Sequence, residues 1–501
     1  MGDFLVGFQN ALSPVNLLYC FLGALLGTVV GVLPGLGPTA TMAMLLPLTA
    51  YLDPTGAIIM LAGIFYGAMY GGSVTSILLN VPGEASSVLT AIDGYQMTKQ
   101  GRGGEALAIA AIGSFIAGTL AIVVLQLCAP PLADLGLKFG APEYVALMLF
   151  CFTTLVAVSG KSKLRGVLAA ALGMVIASIG LDPMTGRQRL NFDSTMLMRG
   201  FDVIPVLMGL FGIAEILSSA NEGLVSIYQG KLGRMIPRGV ELAKGLYASL
   251  RGTAVGLGLG ILPGMMPSVI AFVAYDLERR SSKHPEKFGT GAIEGVAAVE
   301  ASNNAASEAG LIPLLSLGLP TNAACALLFA SFTMYGLQPG PLLFAQQGKM
   351  AWTIIASMYI GNLILLVLNL PLVGIWARLA MVPYRYLGPV TLAICVVGAY
   401  SVRNTFFDVW TAIIFGALGY FMKLRDWPAA PLILGFILGP TLEQHFRATL
   451  QMSGGSLYIF ASRPIAIVFL VMTVLLLGLN FRKGWRKSRE NAVEATDTRS
   501  G

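Results

Sequence analysis

Apolar runs of about 20 residues, the length of a bilayer-spanning helix, recur from one end of this chain to the other, separated by short charged connectors. Hydrocarbon offers no water to pair a backbone N–H or C=O, so each run must be a helix that satisfies its own backbone. Of the 501 residues 55% are hydrophobic and only 11% charged, with a mean hydropathy of +0.75. That leaves too little polar material for a soluble fold and no hydrophilic block for a second one. The expected class is an all-α polytopic membrane protein of roughly 10–12 transmembrane or re-entrant segments.

Two of the runs violate the backbone rule in the same way. Residues Gly27 to Ala40 read GTVVGVLPGLGPTA and residues Gly256 to Val269 read GLGLGILPGMMPSV. Gly27, Gly31, Leu33, Pro34, Gly35 and Pro38 thus recur as Gly256, Gly260, Leu262, Pro263, Gly264 and Pro267. Each is an apolar helix interrupted by Pro-Gly and restarted at a second proline. Read blandly, these are kinks or tight helix crossings, for which membrane helices often use glycine and proline. Two copies in matching positions favour a binding site between repeats, the arrangement of secondary transporters.

Each broken run is followed by a polar-striped helix and another proline break. Ser73, Ser76 and Asn80 fall at i, i+3 and i+7 before Val81-Pro82-Gly83. Glu300, Asn303 and Ser307 keep that spacing before Gly318-Leu319-Pro320-Thr321-Asn322. Either triplet lies on one helical face. Serine in a membrane helix often only bonds the preceding turn, whereas Asn80, Asn303, Asn304, Glu300 and Glu308 are expensive to bury and therefore informative.

The expected organisation is a first repeat half, 1–227; a basic cytoplasmic connector, 228–251; a second repeat half with scaffold helices, 252–481; and a disordered basic cytoplasmic tail, 482–501. The positive-inside rule places Lys99 and Arg102, the segment Lys161 to Arg165, the 228–251 connector and the tail on one side, with the loop carrying Arg187, Arg189 and Arg199 as the exception. The nearly uncharged connector Gly336 to Lys349 falls on the opposite side from its counterpart near Lys99, as inverted repeats require. Met1-Gly2-Asp3 lacks the basic start of a cleaved signal, so the first apolar segment is expected to stay in the domain.

Other chemistries lack material. The basic residues flank apolar runs and form no aromatic-interleaved stripe, so no nucleic-acid partner is expected. The five cysteines have no CxxC spacing, and His284 and His445 are the only histidines. Neither a structural metal site nor a histidine-based nucleophile is therefore expected, and no enzyme activity. A broken membrane helix does supply something: freed carbonyls at the end of its first half suit a cation, and freed N–H groups at the start of its second half suit an anion.

The stretches GVLPGLGPTATMAMLLPLT (31 to 49), YGGSVTSILLNVPGEASSVLTAIDGYQMTKQGRGGEAL (70 to 107) and EGVAAVEASNNAASEAGLIPLLSLGLP (294 to 320) closely resemble the large membrane subunit of bacterial tripartite tricarboxylate transporters. The resemblance covers nearly the whole chain. It implies secondary active uptake of a carboxylate (citrate, another di- or tricarboxylate, or an aromatic acid) across the bacterial inner membrane, coupled to Na+ with H+ as the alternative. It implies two partners besides the lipid bilayer: a small four-helix membrane subunit and a periplasmic solute-binding protein. It also implies that the broken segments and the regions around Asn80 and Asn303/Asn304 line the substrate and ion sites. The substrate is expected at Gly35, Gly37, Thr39 and Thr41, at Asn80, Gly83 and Ser86, at Gly264 and Ser268, and at Asn303, Asn304, Pro320, Thr321 and Asn322. The cation is expected at Leu33, Pro34, Ser73 and Ser76 and at Leu262, Pro263, Glu300 and Ser307. The chain departs from the family at Thr321-Asn322, where Gly-Ser is common, and at Glu308, where small residues are. A cation antiporter or passive anion channel using the same broken helices is the alternative.

Overall fold

The computed structural model describes residues 2–33, 37–158, 162–219, 233–379 and 384–478. In chain order the first half gives α1 (Gly2–Ala11), α2 (Pro14–Val32), α3 (Pro38–Thr49), α4 (Pro54–Leu79), α5 (Val88–Lys99), α6 (Gly103–Gly136), α7 (Ala141–Val158), α8 (Lys163–Ala177), α9 (Val203–Leu207) and α10 (Ala214–Ser219). A π-helical stretch, Met208–Ile213, joins the last two. The second half gives α11 (Gly239–Gly260), α12 (Pro267–Ser281), α13 (Ile293–Ala309), α14 (Leu311–Leu317), α15 (Ala323–Met334), α16 (Pro341–Gln346) and α17 (Gly348–Asn369). Then follow α18 (Val373–Leu379), α19 (Tyr384–Arg403), α20 (Phe406–Leu424), α21 (Ala429–Met452) and α22 (Ile459–Ser462), and an apolar helix, Pro464–Gly478. Among the described residues the sheet content is one small antiparallel pairing, Gly180 with Arg189 and Leu181 with Gln188. Helices α2, α4, α6, α17 and α20 are long and apolar enough to cross a membrane. The all-α polytopic class is the one observed.

Local chemistry sets the boundaries. Pro14, Pro38, Pro54 and Pro267 each open a helix, where the missing N–H would have been unpaired in any case. The Asp53 carboxylate accepts the Gly56 N–H at 2.9 Å and so caps α4. That helix ends at Asn80, whose φ of 58° is left-handed, and α14 ends at Gly318 with φ 73°.

The recurring glycines do a second job besides flanking the breaks. Gly23, Gly27 and Gly31 line the face of α2 that meets α4, where a Cβ would stand 2.5 Å from Met60 O, 2.6 Å from Ile64 O and 2.3 Å from Ala68 O. Gly252, Gly256 and Gly260 do the same on α11 against α13, at 2.3 Å from Ala298 O, 2.4 Å from Ser302 O and 2.7 Å from the Ala306 Cα. Spacing of four residues keeps them on one face, and absence of side chains lets the backbones touch. The tight-crossing reading therefore holds alongside the break.

Packing between the halves is reciprocal. Helix α6 of the first half lies on α11, α13 and α14 of the second, while α17 of the second lies on α2 and α4 of the first. Likewise α3 packs on α15, and α12 packs on α5. Each half thus completes the other.

Two expectations change here. From Gly239 onward the connector 228–251 is helical, the beginning of α11, and its charges have partners. Arg251 binds Glu278 through two contacts of 2.5 and 2.8 Å, and Glu241 accepts from Arg102 at 2.7 Å. Residues 228–232 and the tail 482–501 lie outside the described residues. The charge exception at Arg189 has a local explanation: the guanidinium pairs with Asp182 at 2.9 Å and Glu443 at 2.7 Å, so it carries little topological signal.

Candidate functional site

Around the first break, Pro34 and Gly35 lie outside the described residues. Leu33 is buried, its N–H bonded to Val29 O and Val30 O at 3.2 and 3.1 Å. Gly37 opens α3, and nothing lies within 4 Å of where its Cβ would stand. Thr39 is half-buried, while the Thr41 hydroxyl turns back to Gly37 O at 3.3 Å. At the second break Leu262 donates to Leu259 O at 3.1 Å, and Pro263 is buried. Gly264 takes φ 84°, which favours glycine. Half-buried Ser268 sits in the first turn of α12.

In both halves the second proline break presses on the first. Gly264 donates its N–H to Thr321 O at 2.7 Å. In the first half a Cβ on Gly83 would lie 1.9 Å from Gly31 O, so only glycine fits that turn. Asn322 serves as cap of α15, its Oδ1 accepting from the Cys325 N–H at 3.0 Å and its Nδ2 meeting Thr321 Oγ1 at 3.3 Å. Thr321 and Pro320 are buried beside it.

The polar stripes of the two halves face each other. Both carboxylate oxygens of Glu300, fully buried on α13, accept hydroxyl hydrogen bonds, one from Ser73 on α4 and one from Thr90 on α5. Asn303 donates through Nδ2 to Glu84 Oε1 at 3.1 Å. Asn304 donates to Ser114 Oγ at 2.7 Å and to Glu300 O at 3.1 Å. Ser76 meets Ser87 Oγ at 2.8 Å, and Ser86 lies against Met69 Sδ at 3.7 Å. Ser307 only returns to Asn303 O at 3.0 Å. The amide oxygens of Asn303 and Asn304 and one oxygen of Glu308 are buried with no partner among the described residues.

Asn80 is where the expectation of burial fails. It is exposed at the end of α4 rather than buried on the stripe, because the left-handed cap swings it off the helical face. The sequence reading placed Glu84 only as the end of a stretch, Asn80 to Glu84, opposite the broken-helix tips, and gave no role to Ser87, Thr90 or Ser114. Glu84 carried a signal, an acidic residue directly after a proline break in an apolar region; Thr90 and Ser114 carried none, since only the fold brings them to the stripe.

Glycine seams thus run within each half, and hydroxyl-to-carboxylate bonds cross between them. The description "Tripartite tricarboxylate transporter TctA family" matches residues 17–434. The chain belongs to the TctA family. It is similar at 43% identity over 503 residues, 98% of each chain, to an uncharacterized 52.8 kDa protein in the TAR-I ttuC' 3' region of Agrobacterium vitis. A second Agrobacterium vitis protein, in the TAR-II ttuC' 3' region, is 41% identical over 239 residues, 48% of this chain and 99% of its own. An uncharacterized Methanocaldococcus jannaschii protein is 29% identical over 110 residues, 22% of this chain and 28% of its own. No solved structure matches. As a TctA member the chain is a membrane component of a tripartite transport system, a transporter family rather than an enzyme family.

Proposed function

We propose that this TctA protein takes up a carboxylate, a tricarboxylate or related organic acid, across the bacterial inner membrane, driven by a cation gradient with Na+ as the coupling ion. A periplasmic binding protein delivers the substrate, and a small four-helix membrane subunit completes the complex. The substrate carboxylates meet the amide ends of the broken helices at Gly37–Thr41 and Gly264–Ser268, with Asn303 and Asn304 beside them.

The observation that carries this reading is the meeting of Glu84 with Asn303 and of Glu300 with Ser73 and Thr90. It brings both halves to one locus and leaves carboxylates next to the place for an anion. No Lys, Arg or His donates into this cluster among the described residues, so an anionic substrate there needs a positive charge from elsewhere. A co-transported cation supplies it. Inverted orientation of the halves would let the core expose this locus to either side in turn.

The test is uptake into proteoliposomes carrying the complex with its binding protein. Carboxylate accumulation should follow an imposed Na+ gradient more steeply than a pH gradient. Accumulation indifferent to both, or ion flux with no carboxylate present, would overturn the reading.

A further inference from the structure

Between α4, α6 and α17 lies a void of about 10 Å³, room for one particle the size of a water molecule. Its apolar wall includes Leu107 and Ala110, and its polar wall consists of Tyr70, Ser73, Ser114 and Asn369, each at most 4% exposed.

What these groups offer the void follows from where their hydrogens go. Both N–H bonds of Asn369 are committed, to Leu365 O at 3.0 Å and Thr28 Oγ1 at 3.3 Å, and the Thr28 hydroxyl is itself spent on Ala24 O at 2.9 Å. The Asn369 amide oxygen is buried without a partner among the described residues. Tyr70 donates to Asn362 Oδ1 at 2.6 Å; the donation runs that way because Asn362 Nδ2 is engaged with Phe115 O and Thr119 Oγ1. Ser73 has acceptors in Glu300 and Met69 O for its single hydrogen. Ser114 accepts from Asn304. Three of the four oxygens therefore present lone pairs alone, and only the Ser114 hydrogen is unassigned. The charge around the void points the same way. Glu300 lies one hydrogen bond away through Ser73, both its oxygens accepting as an ionised carboxylate would, with no basic group bonded to it among the described residues.

We infer that this void is a seat for a single monovalent cation of the size of Na+, held by the oxygens of Asn369, Tyr70, Ser73 and Ser114 and balanced by Glu300. Neutral oxygens with one carboxylate behind them suit a monovalent ion, whereas divalent ions recruit carboxylates directly; no cluster of three or more His, Cys, Asp or Glu exists among the described residues. The seat lies among the helices, not at Leu33 or at Leu262–Pro263. Its role in transport rests on the coupling proposed above; the binding itself does not.

Thermal unfolding of the purified full-length protein, without substrate or partner proteins, tests it. In a titration of NaCl against choline chloride at constant ionic strength, Na+ should raise the unfolding midpoint with a saturable dependence. Asn369→Ala should move that titration at least tenfold to higher Na+. Tyr70→Phe, which keeps the shape and removes one oxygen, should move it in the same direction and decides the matter if the Asn369 variant does not fold. A midpoint indifferent to Na+ means the void holds only water and sinks the proposal, as does a Na+ response unchanged in Tyr70→Phe. Uptake that follows a Na+ gradient despite either failure leaves the coupling standing and removes only this site. Na+ binding lost in the variants, with uptake indifferent to any gradient, does the reverse.

Discussion

Asp93 on α5 ties the first half to the loop that opens α13, and its removal has a calculable effect. Its Oδ1 accepts the N–H groups of Gly289, Gly291 and Ala292 at 2.8, 2.9 and 2.9 Å, and its Oδ2 accepts the Tyr275 hydroxyl at 2.8 Å. Gly289 and Gly291 take φ of 87° and 111°, conformations that turn their N–H groups toward one acceptor. Asp93→Ala strands the Ala292 N–H inside the protein, a loss of about 1–3 kcal/mol, and weakens two half-exposed bonds by up to about 1 kcal/mol each. Local opening of the loop becomes about 1–5 kcal/mol easier, and exchange of these amides roughly 5- to 4000-fold faster. Asp93→Asn keeps an oxygen for the three N–H groups, and the Tyr275 hydroxyl rotates to accept from the new amide. Only the charge assistance goes, about 1–2 kcal/mol or roughly 5- to 30-fold. Hydrogen–deuterium exchange by mass spectrometry on the detergent-solubilised protein reads both. Equal exchange in the two variants, or no acceleration in Asp93→Ala, would refute the assignment of this carboxylate as the latch.

Other perturbations separate by mechanism. Gly27→Ala and Gly256→Ala should each lower the yield of folded protein, since the new methyl meets a carbonyl at 2.6 or 2.4 Å and overpacking costs about 1–3 kcal/mol; Gly258→Ala, with nothing within 4 Å, should not, as size-exclusion profiles will show. Glu84→Gln and Asn303→Ala should be non-additive in uptake, with a coupling of about 0.5–3 kcal/mol across the 3.1 Å contact; strictly additive losses would argue against a shared locus. The Asp182 carboxyl is held well below its usual range by the Thr185 hydroxyl, the Met184 N–H and Arg447. A depressed folded-state pKa gives stability that is fully present above the unfolded value and is lost progressively as pH falls from there to the folded one. Asp182→Asn should thus lower the unfolding midpoint by the same amount at pH 7 and pH 5, and the gap should narrow below about pH 4.

The breaks were legible because proline and glycine act locally: Pro38 and Pro267 open helices from sequence alone. The glycine seams were half legible, since spacing of four shows a common face but not which helix meets it. Asn80 misled because helical periodicity was extended one residue past the end of α4, where a left-handed cap takes over. The contacts of Glu84, Thr90 and Ser114 were hidden for a different reason. Their partners are Asn303, Glu300 and Asn304, which stand 219, 210 and 190 positions away, and no local pattern encodes such a meeting. Within the connector 228–251 the charge run was legible but its pairing was not, since Arg251 and Glu278 neutralise each other across the α11–α12 turn.

Those long separations bear on how the protein is made. Asp93 reaches Ala292 across 199 positions, so at about 5–20 residues per second the ribosome delivers the partner some 10–40 s after the carboxylate itself. During that interval Asp93 and the hydroxyl of Thr90 sit in the nascent first half without the groups that later satisfy them, while Ser73 can turn back only to Met69 O. Water, lipid headgroups or the insertion machinery must keep them company until α13 arrives. A chain truncated before α13 would lack the acceptors and donors that close this polar interior.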